Sequence, residues 1–250
     1  MTSDSAGITV QGVSYHWGAK RALDQVSFAV PRGAVCALLG PNGAGKSTLF
    51  GLLTGLFRPE AGHLVLAGHD IARATRPALA ATGVVFQQPT LDLDLSVWRN
   101  MLYFAGLHGL RGQDARDRAG AALTRLSMQE RAGEKVRALN GGHRRRLEIA
   151  RALMHDPKVL LLDEPTVGLD APTRAALTDQ VHALARDSGI SVLWATHLTD
   201  EVQAGDHLVI LHQGRVLSEG PTPAVGPALT EHFLAMTAGA GVATGAGAPA

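Results

Sequence analysis

The sequence predicts an α/β protein built on a parallel sheet, with a block of helices inserted into it. Three observations point there. An apolar run at residues 35–39 leads directly into a glycine-rich loop and then into helical spacing, as a buried parallel strand feeding a crossover helix does. Strand-like runs at 159–162 and 191–195 flank a helical pattern at 172–186, the spacing of a right-handed βαβ unit. Between 89 and 155 helical periodicity replaces the strand pattern.

In chain order, Ile8, Val10 and Val13, then Val26, Phe28 and Val30, alternate as half-buried strands do. Pro31-Arg32-Gly33 is a turn. After the 35–39 strand, Leu49, Leu52, Leu53 and Leu56 recur at helical spacing, and Pro59 and Gly62 end that helix. Residues 63–66 and 83–86 read as strands. Helical patterns follow around Trp98, Leu102 and Phe104, then over 119–126 and 147–154, and a last strand over 208–211.

A chain of 250 residues with 46% hydrophobic content can bury a substantial core. A net charge of +1 disfavours nucleic acid as the main partner, because phosphate binding draws on clustered positive charge. The single cysteine, Cys36, lies in the apolar strand and reads as a small buried side chain in a reducing compartment. The N-terminus lacks a basic segment followed by an apolar one, and no apolar stretch approaches the ~20 residues of a membrane helix. Work at a membrane would therefore need another chain to span it. One domain is expected over 1–230, and an Ala/Gly-rich tail over 231–250 is expected to be disordered, for want of bulky side chains to offset chain entropy.

Two segments carry chemistry. Gly40-Pro41-Asn42-Gly43-Ala44-Gly45-Lys46-Ser47-Thr48 fits the phosphate-loop pattern, in the required context of strand before and helix after. Its glycines let backbone N–H groups face a phosphate, the helix N-terminus adds partial positive charge, Lys46 adds a full one, and Ser47 offers a hydroxyl to Mg²⁺. The apolar run 159–162 ends in Asp163-Glu164. At the carboxyl end of a parallel strand, Asp163 can hold Mg²⁺ and Glu164 can act as general base toward water.

Leu139-Asn140-Gly141-Gly142-His143 resembles the signature motif of the ABC ATPase superfamily, whose usual form is Leu-Ser-Gly-Gly-Gln. With it the superfamily's motifs appear in order over roughly residues 8–222. The resemblance implies a RecA-like P-loop NTPase core, an antiparallel β subdomain, an α-helical subdomain inserted at about 88–157, and ATP with Mg²⁺ as ligands. It implies that Trp17 stacks on adenine, with Tyr15 as competitor. Gln87, beside Gln88, would coordinate Mg²⁺ and sense a membrane partner. Asp170 would lie in the D-loop, where it is also a good helix cap. His197 would contact the γ-phosphate. Asn140, Gly141, Gly142 and His143 would reach the nucleotide of a second subunit. Asn140 in place of serine and His143 in place of glutamine depart from the pattern. Arg144-Arg145-Arg146 read as a solvated fan around a helix.

A lone phosphate loop implies a second copy or a paralogue. The stretch 85–97 is similar to that of drug- and polysaccharide-export subunits, which pair with ABC-2-type permeases. The run from Asn140 to Arg146 resembles a bacterial subfamily associated with pyrroloquinoline-quinone-dependent alcohol oxidation. The reading is thus a transporter ATPase on the cytoplasmic face of a membrane, with a soluble iron–sulfur assembly ATPase as the alternative.

Overall fold

The computed structural model describes residues 6–240. The segments 1–5 and 241–250 lie outside the described residues, and with them the N-terminal reading and the last half of the expected tail.

Two sheets form the frame. Strands β1 (Ala6–Trp17), β2 (Lys20–Pro31), β4 (Ala61–Leu66) and β5 (His69–Asp70) make an antiparallel sheet in the order β2-β1-β4-β5. A six-stranded sheet has the order β10-β9-β3-β8-β7-β6. It contains β3 (Val35–Leu39), β6 (Thr82–Val85), β7 (Val159–Asp163), β8 (Ser191–Thr196), β9 (His207–His212) and β10 (Arg215–Pro221). Only the β9–β10 hairpin within it is antiparallel.

The pleat sorts each apolar strand between two cores. Leu160 and Leu162 of β7 face α5 (Gly141–Leu153) and α6 (Ala171–Ser188), together with the inserted helices α3 (Val97–Leu107) and α4 (Gly112–Arg125). Val159 and Leu161 face α1 (Lys46–Leu53) and the antiparallel sheet. This two-sided burial is why these strands are continuously apolar rather than alternating.

Four differences from the sequence reading have physical causes. Helix α1 stops at Leu53, because Gly55 turns left-handed (φ +70°) and Leu56 N donates back to Gly51 O at 2.9 Å, leaving Leu56 exposed. Helix α2 (Thr75–Ala80) was not expected; it is six residues long and contains Pro77. The short β5 and the half-exposed β10 lack an apolar period. The expected tail is ordered further than 231: α7 runs Pro227–Ala240, because Leu229 and Phe233 bury against Ala37, Leu39, Leu208 and Ile210. No helix among the described residues is long and apolar enough to cross a membrane.

Candidate active site

Strands β3, β8, β7 and β6 are neighbours and parallel, so the residues following them fall along one edge. Gly40, His197, Glu164 and Gln87 all lie there.

The glycines of the phosphate loop are required by its shape. Gly43 and Gly45 have φ of +82° and +111°. A Cβ on Gly45 would lie 2.8 Å from Ala22 O, and one on Gly40 would lie 2.5 Å from Leu211 O. Gly214 N donates to Ala44 O (2.9 Å) and Asp24 N to Gly214 O (2.8 Å), so the β9–β10 turn and β2 brace the loop from behind. Helix α1 starts at Lys46, and the N–H groups of its first turn add positive potential.

The buried Lys46 Nζ donates to Gly40 O (2.6 Å) and Pro41 O (3.2 Å), and lies 3.2 Å from Glu164 Oε1. Gln87 Nε2 donates to Glu164 Oε2 at 3.4 Å, and His197 Nδ1 lies 3.5 Å from Glu164 Oε1. One carboxylate is therefore shared by three side chains from three loops. Burial, with the charge of Glu164 beside it, pushes the Asp163 carboxyl up to about 6, against the pull of Lys46 and Arg145. Asp163 Oδ1 is buried and has no hydrogen-bond partner among the described residues.

Lys46, Gln87 and Glu164 open on a cleft of about 460 Å³ lined also by Trp17 and residues 41–48, whereas Asp163 and His197 are not among its lining residues. Trp17 is 48% exposed; its Nε1 donates to Thr48 Oγ1 (3.2 Å) and its ring meets Phe57 edge-on at 4.9 Å. Tyr15 is packed against the core behind it, and Gln88 is not among the lining residues. Lys20, Arg21 and Gln213 also line the cleft. Sequence reasoning missed them, because their only signal is a place at hairpin ends.

Asn140, Gly141, Gly142, His143 and Asp170 do not line this cleft. They form a second cluster where α5 meets the start of α6. Asn140 caps α5, accepting from His143 N (2.8 Å), and Asp170 caps α6, accepting from Thr173 N (2.8 Å). The Thr173 hydroxyl and backbone N–H beside it hold the Asp170 carboxyl below its usual range. A Cβ on Gly142 would lie 2.4 Å from Thr173 Cγ2, so the helices touch there. Burial, with Arg131 and Arg146 nearby, lowers the His143 imidazole.

The arginine run is not a solvated fan. Arg145 is buried, bonded to Glu148 Oε2 (2.8 Å), Phe86 O (2.8 Å) and Gln87 O (3.1 Å). Glu148 Oε1 accepts from Thr90 N (2.9 Å), and Arg151 Nη1 donates to Thr90 O (3.0 Å). Helix α5 thus grips both ends of the loop 86–90. The i, i+3 spacing of Arg145 and Glu148 was the available signal.

A cation at the base of a cleft, a helix N-terminus beside it and a carboxylate at its wall can hold a polyphosphate and polarise water. The comparisons with known proteins agree. Residues 23–167 match the family model described as ABC transporter. The chain is 41% identical over 214 residues to the daunorubicin resistance ATP-binding protein of Streptomyces coeruleorubidus, covering 85% of this chain and 67% of that protein. It is 38% identical to the Nod factor export ATP-binding protein I of Ralstonia nicotianae, covering 85% and 66%. The chain thus spans about two thirds of the length of these curated relatives. Among solved structures, CbiO1 of Clostridium perfringens, part of an ABC transporter complex, superposes with a TM-score of 0.81 at 28% identity, covering 95% of this chain and 94% of that one. An ATP-binding cassette in its ADP conformation gives 0.80 at 26%, covering 92% and 98%. The chain belongs to the ABC transporter family, as an ATP-binding and ATP-hydrolysing subunit with a RecA-like P-loop core.

Proposed function

We propose that this subunit powers export through a separate ABC-2-type permease, working as a pair with a second copy or a paralogue on the cytoplasmic face of a membrane. The observation that carries the ATPase part is the convergence of Lys46, Gln87 and His197 on the Glu164 carboxylate. In this reading Lys46 and the backbone of residues 40–48 bind the β- and γ-phosphates, and Trp17 offers its exposed face to the base. Glu164 accepts the proton of the attacking water. His197, 3.5 Å from Glu164, would contact the γ-phosphate. Ser47, Asp163 and Gln87 would hold Mg²⁺. The unpartnered, buried Asp163 Oδ1 fits that role, and the ion would neutralise charge on the phosphates. Phosphoryl transfer needs mainly positioning and charge stabilisation, and these groups supply both.

The placement of Asn140, Gly141, Gly142, His143 and Asp170 outside the cleft supports a contact with the nucleotide of the partner ATPase. Export is supported by the names of the drug-resistance and Nod-factor relatives. The run from Asn140 to Arg146 supports a finer placing in the subfamily associated with pyrroloquinoline-quinone-dependent alcohol oxidation. The test is affinity purification of the tagged chain from solubilised membranes. A polytopic permease that recovers in stoichiometric amount and stimulates ATPase activity in proteoliposomes is the expected result. Recovery with soluble cluster-assembly proteins and no membrane protein contradicts the export reading.

A further inference from the structure

Glu201 lies four residues beyond His197, in the short turn Thr199–Glu201, and is 3% exposed. The proposed chemistry does not use it. Its carboxylate accepts hydrogen bonds from two other elements. Trp194 Nε1, in β8, donates to Oε2 at 3.0 Å, and Thr166 Oγ1, in the loop after β7, donates to Oε1. Trp194 precedes His197 by three residues, and Thr166 follows Glu164 by two. The same segment is pinned again where Leu198 N donates to Thr196 Oγ1 at 2.9 Å. Glu164 has the left-handed φ of +47°, a conformation that a non-glycine residue keeps only where its surroundings impose it. Thr166 is also buried, so the loop that carries Glu164 has no water to replace a lost partner there. A carboxylate this deep costs stability unless hydrogen-bonded. Burial raises its pKa, against the Trp194 bond and the neighbouring Thr196 hydroxyl, which lower it.

We infer that Glu201 is a positioning residue: its buried carboxylate clamps the loop that carries Glu164 to the strand and turn that carry His197, and so sets the 3.5 Å separation of those two side chains. This rests on the assignment of Glu164 and His197 above. The side chains of Glu201, Thr166 and Trp194 bond to one another and not to the phosphate loop or Trp17, so the clamp acts on turnover and not on nucleotide affinity. A carboxylate that merely holds the fold would lower stability with no selective effect on kcat.

The experiment measures kcat and KM for ATP, ADP affinity by isothermal titration, and Tm, for Glu201→Leu, Glu201→Gln and Thr166→Val. Leucine keeps the volume and removes both acceptors. Glutamine can still accept from Trp194 and donate to the Thr166 hydroxyl. Glu201→Leu is expected to lose at least 10-fold in kcat, with KM and ADP affinity within 2-fold of wild type, and Glu201→Gln to recover to within about 3-fold. Thr166→Val, which removes one hydrogen bond and no charge, is expected to lose 3- to 10-fold in kcat alone, and it decides the matter if Glu201→Leu does not fold. In a His197→Ala background Glu201→Leu should cost less than 2-fold, since its effect passes through the geometry of that pair. Wild-type kcat in Glu201→Leu or Thr166→Val, or an equal loss in kcat and ADP affinity, overturns the inference. Wild-type turnover in a Glu164→Gln control instead overturns the site assignment and leaves the clamp's structural bonds unaffected.

Discussion

Asp163 and Glu164 are adjacent carboxylates with different environments. Glu164 is surrounded by Lys46, Gln87 and His197, whereas Asp163 Oδ1 is buried without a partner. The folded protein therefore binds a proton at Asp163 more tightly than the unfolded chain does, with a pKa of about 6 against 3.8. An acid whose folded pKa is raised contributes stability below the unfolded value, and that contribution is lost as pH climbs through about 6. Asp163→Asn cannot ionise. Without nucleotide or Mg²⁺ it should be more stable than wild type at pH 8 by on the order of 2–3 kcal/mol. The advantage should shrink toward zero near pH 4. Denaturant titration of both proteins across this range checks it, and a constant difference contradicts it. The Asp163-Glu164 pair was legible because an apolar strand ended in two acids. The left-handed backbone of Glu164 was not, since nothing local in Pro165 or Thr166 marks it.

Elements were legible where one period ran long enough. The phosphate loop was visible in full because its shape demands glycine at fixed places, as the close approach of Gly40 to Leu211 O shows. Helix α5 was visible as a helix, but what its arginines hold was not. Arg145 and Glu148 form a buried pair that reaches back to loop 86–90, 58 residues earlier in the chain. Such contacts depend on how α5 docks on β6, and no window of sequence contains both. Helices α2 and α7 were invisible for a different reason. The first is too short to show a period, and half of the second is Ala, Gly and Thr around two anchors, Leu229 and Phe233. Removing half of a buried pair leaves a charge uncompensated, so Arg145→Met is expected to cost about 3 kcal/mol. That is a fall in Tm of roughly 6–12 °C for a domain of this size. Adding Glu148→Leu should recover much of the loss, because neither charge is then stranded. A double variant less stable than Arg145→Met alone contradicts this account. Gly142 is a poor place to probe the signature, since any side chain there strikes Thr173 within the same subunit.

At the scale of the molecule, one sheet edge gathers Gly40, Gln87, Glu164 and His197, while the signature cluster sits apart at the α5–α6 junction. The parallel pairing of β7 with β8 was legible from the βαβ spacing, whereas the place of β8 beside β3 was not. The pairing of β9 on the far side of β3 was not, because hydrogen-bonded neighbours there are over 160 residues apart. In the proposed reading, a nucleotide cleft and a second cluster that does not line it make half of a catalytic machine. The central claim is that Glu164 is the general base of an ATPase completed by pairing two subunits. Its most direct test is the purified Glu164→Gln variant, with phosphate release and mass by light scattering measured with and without ATP. The account predicts tight ATP binding, a loss of at least 100-fold in turnover, and a dimer that accumulates with ATP and is absent without it. Turnover near that of wild type, or a monomer that stays monomeric when saturated with ATP, would contradict it.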